Sequence, residues 1–272
     1  MYSLHKITVS VLLVFLFSSA SGSDPWFLAA GAAEAGMSNS CVMVPGFWSS
    51  FHNQALLPLN TSGAIGFNYQ NRFNIGELGT RSAGFVIPSG RAVLGAVYSH
   101  FGYKDFIRHS AGLACGLKLS EKVSAGIQTD FFSEKTAGEY NKRSSLTFEA
   151  GLLIIPSEKV RVAFHLFNPV PNLLRKNYLP SSIRAGAGIW LNSILFTSVE
   201  AEMSTGRNLN LKSGFEYGPV KNLRIRGGFG SENTSFSFGI GYLTKFAQLD
   251  LGFATHEQLG VTSSASIIFK LK

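Results

Sequence analysis

The stretch TSFSFGIGYL, residues 234–243, carries the pattern from which the fold of this chain is predicted. Its large side chains are apolar and occupy every second position between serines and glycines; they are Phe236, Phe238, Ile240 and Tyr242. A period of two predicts a β-strand, because successive side chains of a strand point to opposite faces. Such a strand needs an apolar environment on one face only.

The same alternation recurs through most of the chain after residue 61, as in FAQLDLGFA (residues 246–254) and VRVAFHLF (residues 160–167). An even number of strands is typical of bacterial outer-membrane barrels. The predicted fold is all-β: an antiparallel transmembrane β-barrel of about 14 strands with a short N-terminal plug or helix segment. The strands are expected near residues 62–71, 78–87, 91–100, 105–118, 122–132, 145–155, 158–168, 181–191, 193–204, 208–217, 221–230, 234–243, 246–255 and 261–271.

The connections between these strands alternate in length. Every second connection is tight, for example PSGR, LSEK and PSEK, whereas the longest irregular segments lie at residues 133–144 and 168–180 among the other connections. Outer-membrane barrels have short periplasmic turns and longer extracellular loops. We therefore expect a protein of the bacterial outer membrane with both chain termini on the periplasmic side.

Composition separates this barrel from a soluble β-sandwich, which also alternates apolar and polar residues. The net charge is +8, yet charged residues make up only 15% of the chain, against about 25% in ordinary soluble domains. The polar faces are mostly glycine, serine, alanine, threonine and asparagine, which favours a crowded lumen over a water-exposed surface. The apolar faces are then expected to contact outer-membrane lipid. Lysine and arginine are scattered, so no nucleic-acid partner is expected.

The N-terminal part of the chain precedes the strand series. Residues 1–22 have the features of a secretory signal peptide: basic residues, an apolar run at residues 7–17 and then small residues. That run is shorter than the ~20 residues of a membrane-spanning helix. We assign residues 23–60 to a plug-like segment and residues 61–272 to the barrel. Two cysteines are too few for a disulfide framework.

The stretch FWSSFHNQALLPL, residues 47–59, has a helical pattern rather than a strand pattern. Trp48, Phe51 and Ala55 share one face of a single short helix, which Pro58 is expected to end. Its placement before the first strand predicts a plug or periplasmic cap in the barrel mouth. The candidate residues of this plug are Trp48, Phe51, His52, Asn53, Gln54 and Ala55.

Isolated charges of both signs lie on the polar faces of the predicted strands. Interior charges need partners, which favours ion pairs that brace the barrel wall, and a polar conduction path or an anion site is the alternative. The predicted lumen charge network comprises Glu149, Arg161, Arg184, Glu200, Glu202, Lys212, Glu216, Arg224, Arg226 and Asp250.

Motifs for chemistry are scarce. No zinc-ligand spacing such as H-E-x-x-H occurs, so neither a metal site nor a cofactor is expected. The glycine pair Gly186 and Gly188 lies in an alternating strand without a following helix, which predicts small lumen residues rather than a phosphate loop. A lipid-cleaving serine enzyme would need a serine beside His109 or His165, and no motif singles one out. We expect no catalytic residues and no enzyme.

At its N-terminal segment the chain resembles the FadL-like outer-membrane barrels, and more closely the PorV/PorQ-type proteins of Bacteroidetes. Such proteins tend to begin with G-A-x-x-A-G-M-G-x-A-x-V-A followed by an aromatic-rich N-P-A-G-L or N-Q-A-G-L helix. This sequence departs at Ser38, where the family often has glycine, and at Leu56, which replaces the glycine of N-Q-A-G. The matching residues are Gly31, Ala32, Ala33, Ala35, Gly36 and Met37, then His52, Asn53, Gln54 and Ala55.

The phrases NYQNRFNIGEL, HFGY, FNPV and LPSSIRAGAGIW look like an uncharacterised Bacteroidetes branch of that group. The resemblance implies a non-enzymatic accessory of type IX protein secretion or surface attachment, which acts by binding secretion-system or surface proteins. The alternative that it implies is a FadL-like channel for the uptake of small hydrophobic compounds, closed by an N-terminal hatch.

Overall fold

A computed structural model of the chain describes residues 30–137, 143–169 and 179–271. Its fourteen strands pair with their sequence neighbours, and the first pairs with the last, so the sheet is a closed antiparallel barrel. The predicted signal peptide lies outside the described residues. The strands are β1 (Ala64–Asn71), β2 (Gly79–Ser89), β3 (Ala92–Tyr103), β4 (Phe106–Lys118), β5 (Val123–Thr136), β6 (Arg143–Ser157), β7 (Val160–Phe167), β8 (Ser182–Trp190), β9 (Leu195–Ser204), β10 (Asn210–Val220), β11 (Leu223–Gly230), β12 (Ser235–Leu243), β13 (Ala247–His256) and β14 (Gly260–Lys270).

The predicted fold class and strand number are therefore confirmed. The alternation in each strand places its large apolar side chains on the outer surface of the barrel, where Phe236 is 59% and Leu113 is 73% exposed. The inward positions are small or polar, as at Ser82, Ser99 and Ser198, all buried. A barrel that is apolar outside and polar inside fits a lipid environment.

The two ends of the barrel differ. At one end, which we name the turn end, the strands are joined by the short connections 90–91, 119–122, 158–159, 191–194, 221–222 and 244–246. The chain enters and leaves the barrel at this same end, where Leu271 N donates a hydrogen bond to Gly63 O at 2.8 Å. We name the opposite end the loop end. The long segments predicted at residues 133–144 and 168–180 fall between strands at this end and lie partly outside the described residues, but residues 133–136 and 143–144 belong to β5 and β6.

The N-terminal segment, residues 30–63, contains three short helices. They are α1 (Ala32–Ala35), a 3₁₀ helix at Phe47–Phe51 and a second 3₁₀ helix at Gln54–Leu59. The prediction of a single helix ended by Pro58 was wrong, because Asn53 is extended and its side chain caps the second 3₁₀ helix, in which Pro58 lies. None of the helices in the described ranges is long and apolar enough to cross a membrane.

Candidate functional site

The N-terminal segment lies inside the barrel and meets the wall on all sides. Where the segment contacts the wall, many of the inward-facing wall residues are glycines. A Cβ atom at these positions would come too close to the segment. Phe47 lies against Gly66, Met43 against Gly186, and the Ala32 carbonyl oxygen against Gly252. The glycines in such contacts are Gly66, Gly84, Gly95, Gly116, Gly126, Gly151, Gly186, Gly188, Gly214, Gly228, Gly239 and Gly252.

One ion pair of the wall, which we name the Arg184–Glu200 pair, is buried against this segment. Arg184 Nε donates to Glu200 Oε1 at 2.7 Å, and both side chains are fully buried. Lys212 also contacts Glu200, at 3.4 Å, and forms a second ion pair with Glu202. The sequence placed these four residues in one network, and the structure brings them together on β8, β9 and β10.

The Arg184–Glu200 pair binds the backbone of the N-terminal segment. Glu200 Oε2 accepts hydrogen bonds from the N–H groups of Cys41 and Val42, both at 2.9 Å. Arg184 donates to two backbone carbonyls of the segment, those of Asn39 and His52, each at 3.3 Å. Hydrogen bonds to charged groups are stronger than those between neutral groups, so this pair is a strong anchor for the segment.

A second set of contacts anchors the segment near β6 and β7. Asn53 Nδ2 donates to the Phe164 carbonyl at 3.2 Å, and Gln54 Nε2 donates to Glu149 Oε2 at 2.6 Å. The same Glu149 oxygen contacts His165 Nε2 at 2.9 Å. Glu149 thus pairs with a histidine and a segment amide rather than with an arginine. Sequence reasoning left His165 out of the network, although the alternation in VRVAFHLF already placed it on the inner face.

The other predicted plug residues are also enclosed. Trp48 and Ala55 are buried, and Phe51 packs against the same apolar cluster as Trp48. His52 Nε2 donates to the Ala30 carbonyl at 2.7 Å. Burial lowers the pKa of His52 to about 3, so its ring stays neutral.

The remaining charges of the predicted network form a group on β10, β11 and β13, with one exception. Arg226 donates to Glu216 at 2.7 Å and to Asp250 at 2.8 Å, and Arg224 lies 3.4 Å from Glu216. Arg161 forms no ion pair with any residue in the described ranges. It is half-buried on β7, apart from the network in which the sequence placed it.

Two cavities lie on opposite sides of residues 32–38, which we name the separator. Each has a volume of about 220 Å³. The loop-end cavity is lined by Ser38 and Asn39 of the segment and by wall residues that include Glu202, Lys212 and Glu232. The turn-end cavity combines an apolar side with a charged side; its lining includes Glu34, Met37, Phe47, Trp48, Arg226 and Ile268.

The separator touches the wall through small groups. Ser38 Oγ and Ser237 Oγ are 2.8 Å apart, and Ser237 Oγ donates to the Gly36 carbonyl at 3.1 Å. Gly36 lies so close to Gly239 that a Cβ on Gly36 would approach the Gly239 Cα to 2.8 Å. These contacts involve hydroxyl and backbone groups, so they carry no charge.

Glu34 is the acidic side chain of the separator. It is buried, and its Oε2 atom has no hydrogen-bond partner among the residues that the structure describes. Burial raises the pKa of Glu34 to about 8, and the nearby Asp250 carboxylate acts in the same direction. The carboxyl group is therefore largely protonated at neutral pH.

The described residues offer no arrangement for metal or serine chemistry. No group of three His, Cys, Asp or Glu side chains in them is placed to hold a metal ion. His109 Nδ1 contacts Tyr98 Oη at 2.8 Å and His165 contacts Glu149, and across the described ranges no serine hydroxyl hydrogen-bonds with either ring.

No protein-family model matches the sequence, and no curated protein matches it. Solved structures do. The Pseudomonas putida toluene transporter TodX has a TM-score of 0.68 at 9% identity, over 93% of this chain and 99% of that one. The Ralstonia pickettii toluene transporter TbuX has a TM-score of 0.61 at 13% identity, over 93% and 98%. A Pseudomonas aeruginosa FadL homologue has a TM-score of 0.58 at 12% identity, over 89% and 97%. The fold is the FadL-like outer-membrane barrel.

Proposed function

We propose that the protein is a gated channel of the bacterial outer membrane that admits small hydrophobic compounds, with the N-terminal segment as its gate. The observation that carries this proposal is the separator: residues 32–38 divide two cavities that approach each other from opposite ends of the lumen. A short movement of this stretch would join them. In this proposal the turn end faces the periplasm and the apolar outer surface contacts lipid.

The class of compound is supported by two observations. Two of the similar structures are named as toluene transporters. The turn-end cavity has an apolar side formed by Met37, Phe47, Trp48 and Ile268, which suits a small apolar molecule. The charged side of the same cavity is internally paired through Arg226, so it presents little free charge to a ligand.

The expected role as a type IX secretion accessory stays a prediction. The similar structures named above are two toluene transporters and a FadL homologue, and none of them is named as a secretion or surface-attachment protein. The anchored, enclosed N-terminal segment favours the channel, because a gate belongs in the lumen whereas a docking surface belongs at the rim. The channel proposal includes no catalytic step.

Locking the separator to the wall tests the gate. Ser38→Cys with Ser237→Cys, in a chain whose Cys41 and Cys115 are replaced by serine, places two thiols where hydroxyls now lie 2.8 Å apart. We expect oxidation to abolish toluene uptake into cells that lack their own hydrophobic channel, and reduction to restore it.

Ser82→Cys with Ser99→Cys is the matched control. These hydroxyls are 2.7 Å apart on neighbouring strands β2 and β3, so a disulfide there links the wall without holding the segment. Uptake should not respond to oxidation of this pair. Equal uptake by the oxidised and reduced forms of the Ser38–Ser237 variant would contradict the gate.

A further inference from the structure

The outer surface of the barrel has an apolar groove across β11 to β14 and β1. Its volume is about 620 Å³. Ala265 on β14 is the small residue in the groove, and its register partners are the larger Tyr69 and Leu251. The other outward side chains that line it are Phe67, Leu223, Ile240, Tyr242, Leu249 and Ile267. The groove therefore arises where one alanine interrupts a row of large lipid-facing residues.

Two lysines stand at the turn-end limit of this groove. Lys221 lies two residues before Leu223, and Lys245 lies three residues after Tyr242. Leu223 and Tyr242 are register partners on β11 and β12, so the two turns that carry the lysines flank the same pair of strands. Both lysines are exposed.

Both turns are held in place by side-chain hydrogen bonds. Arg224 Nη1 donates to the carbonyls of Val220, Lys221 and Leu223, at 3.1, 3.2 and 2.9 Å. Thr244 Oγ1 accepts from the N–H groups of Phe246 and Ala247, at 3.3 and 2.9 Å. The lysine backbones are thus fixed at the edge of the groove.

Neither ammonium group is neutralised by a carboxylate of the described residues, although that of Lys245 lies 5.6 Å from the centre of the exposed Phe246 ring. Within the part of the chain that the structure describes, neither Lys221 nor Lys245 forms an ion pair, whereas Lys118 at another turn contacts Glu121 at 2.8 Å. An ammonium group that ends beside an apolar membrane-facing surface is suited to a lipid phosphate, because the phosphate and the hydrocarbon chain are joined in one molecule.

We propose that the groove binds one anionic phospholipid, with an acyl chain over Ala265 and the phosphate group at Lys221 and Lys245. The apolar lining selects a hydrocarbon chain, and two ammonium groups that form no ion pair with the described residues select an acidic headgroup over a zwitterionic one. This site lies on the lipid side of the wall and does not depend on the proposed gate.

Native mass spectrometry of the full chain, released from nanodiscs of equal phosphatidylglycerol and phosphatidylcholine, tests the site. We expect one retained phosphatidylglycerol per barrel. Lys221→Gln with Lys245→Gln should lower the ratio of bound phosphatidylglycerol to bound phosphatidylcholine by on the order of tenfold, since each lysine near a membrane surface contributes appreciably to anionic lipid binding. Ala265→Trp should remove both adducts because it fills the groove.

Two control variants keep the result interpretable. Lys122→Gln changes an exposed lysine at another turn, and Ala111→Trp enlarges an exposed alanine on β4, so neither should alter the ratio. Folding of every variant is checked by the heat-dependent shift of the barrel on gels. Equal retention of the two lipids by the natural chain, unchanged binding in the Ala265 variant, or retention of a lipopolysaccharide or a non-lipid hydrophobe in place of phospholipid would each overturn the proposal.

Discussion

Two parts of the N-terminal segment are held in the lumen by different kinds of interaction. Residues 39–54 are bound by buried ionised groups, above all the Arg184–Glu200 pair, which contacts the segment backbone at both Cys41 and His52. The separator, residues 32–38, rests against glycines and serines of β10 to β14. Breaking the contacts to the Arg184–Glu200 pair costs much free energy, whereas the separator is held only by close packing and by hydrogen bonds between neutral groups.

This difference shows where the segment can move. A gate needs one part that stays bound and one part that yields at low cost, because the whole segment could not leave the lumen without breaking the hydrogen bonds that Arg184 and Glu200 make to its backbone. Both cavities are lined by separator residues, Ser38 in one and Glu34 and Met37 in the other, together with residues between 39 and 48. We infer that opening displaces the separator while residues 39–54 remain in place.

The largest effect on stability is expected from breaking the Arg184–Glu200 pair, which holds residues 39–54. Arg184→Met leaves Glu200 buried without its main partner, which should lower the free energy of unfolding by about 3–5 kcal/mol. The double variant Arg184→Met with Glu200→Leu should recover part of this loss, because no unpaired charge remains at that position. Denaturant unfolding of the refolded barrel measures both.

Arg161→Met is the control for this prediction, since Arg161 is half-buried yet has no ion pair among the described residues. Its loss should change stability by less than about 1 kcal/mol. If the Arg184 and Arg161 variants were equally stable, the Arg184–Glu200 pair would not be the anchor.

A smaller effect is expected from crowding the contact between the separator and the barrel wall. In Gly252→Ala the new methyl group meets the Ala32 carbonyl oxygen, so the separator must shift away from β13. Overpacking of this kind typically costs about 1–3 kcal/mol, but here the cost should appear mainly as a leak. Ion conductance in planar bilayers should rise, while global unfolding changes little.

Gly76→Ala is the matched substitution, because a Cβ at Gly76 meets nothing within 4 Å. Its conductance should equal that of the natural chain. A Gly252 variant that is destabilised without leaking would mean that the separator is held as firmly as the rest of the segment.

The smallest effect is expected from ionising Glu34. The folded pKa of about 8 lies above its ordinary value near 4.5, so the seated separator binds the proton more tightly than a released one. Stability of the seated state is therefore full below about pH 4.5 and falls as the pH rises through 8. Because Glu34 lines the turn-end cavity and a small shift of the separator would hydrate its carboxylate, we expect only a few-fold rise in conductance between about pH 6 and pH 9.

Glu34→Gln should remove this pH dependence, since the amide does not titrate and has nearly the same size. The groups that face Glu34, namely Asp250, Arg226 and Glu216, remain in that variant and report their own contribution. A pH response of equal size in the Glu34→Gln variant would assign the effect to them.

The barrel could be predicted from the amino-acid sequence alone. A period of two is a local property, because it follows from which face each side chain of a strand occupies, so fourteen strands, an apolar outer surface and a polar lumen were all predictable. Glycines at inward positions such as Gly186 were likewise predictable as lumen residues. The N-terminal helices were harder to predict. The helical pattern of residues 47–59 predicts one helix, but Asn53 caps a separate 3₁₀ helix that contains Pro58.

The pairing of the lumen charges could not be predicted in this way and is visible only in the folded barrel. Glu149 pairs with His165 and Gln54, Arg161 stays apart from the network, and Glu200 holds backbone groups 158 and 159 residues away in the chain. Such partners depend on strand register and on the path of a remote segment through the lumen. Neither produces a repeating pattern in the sequence. An ion pair depends on the distance between two side chains in the folded protein, whereas strand alternation depends only on residues that are adjacent in the chain.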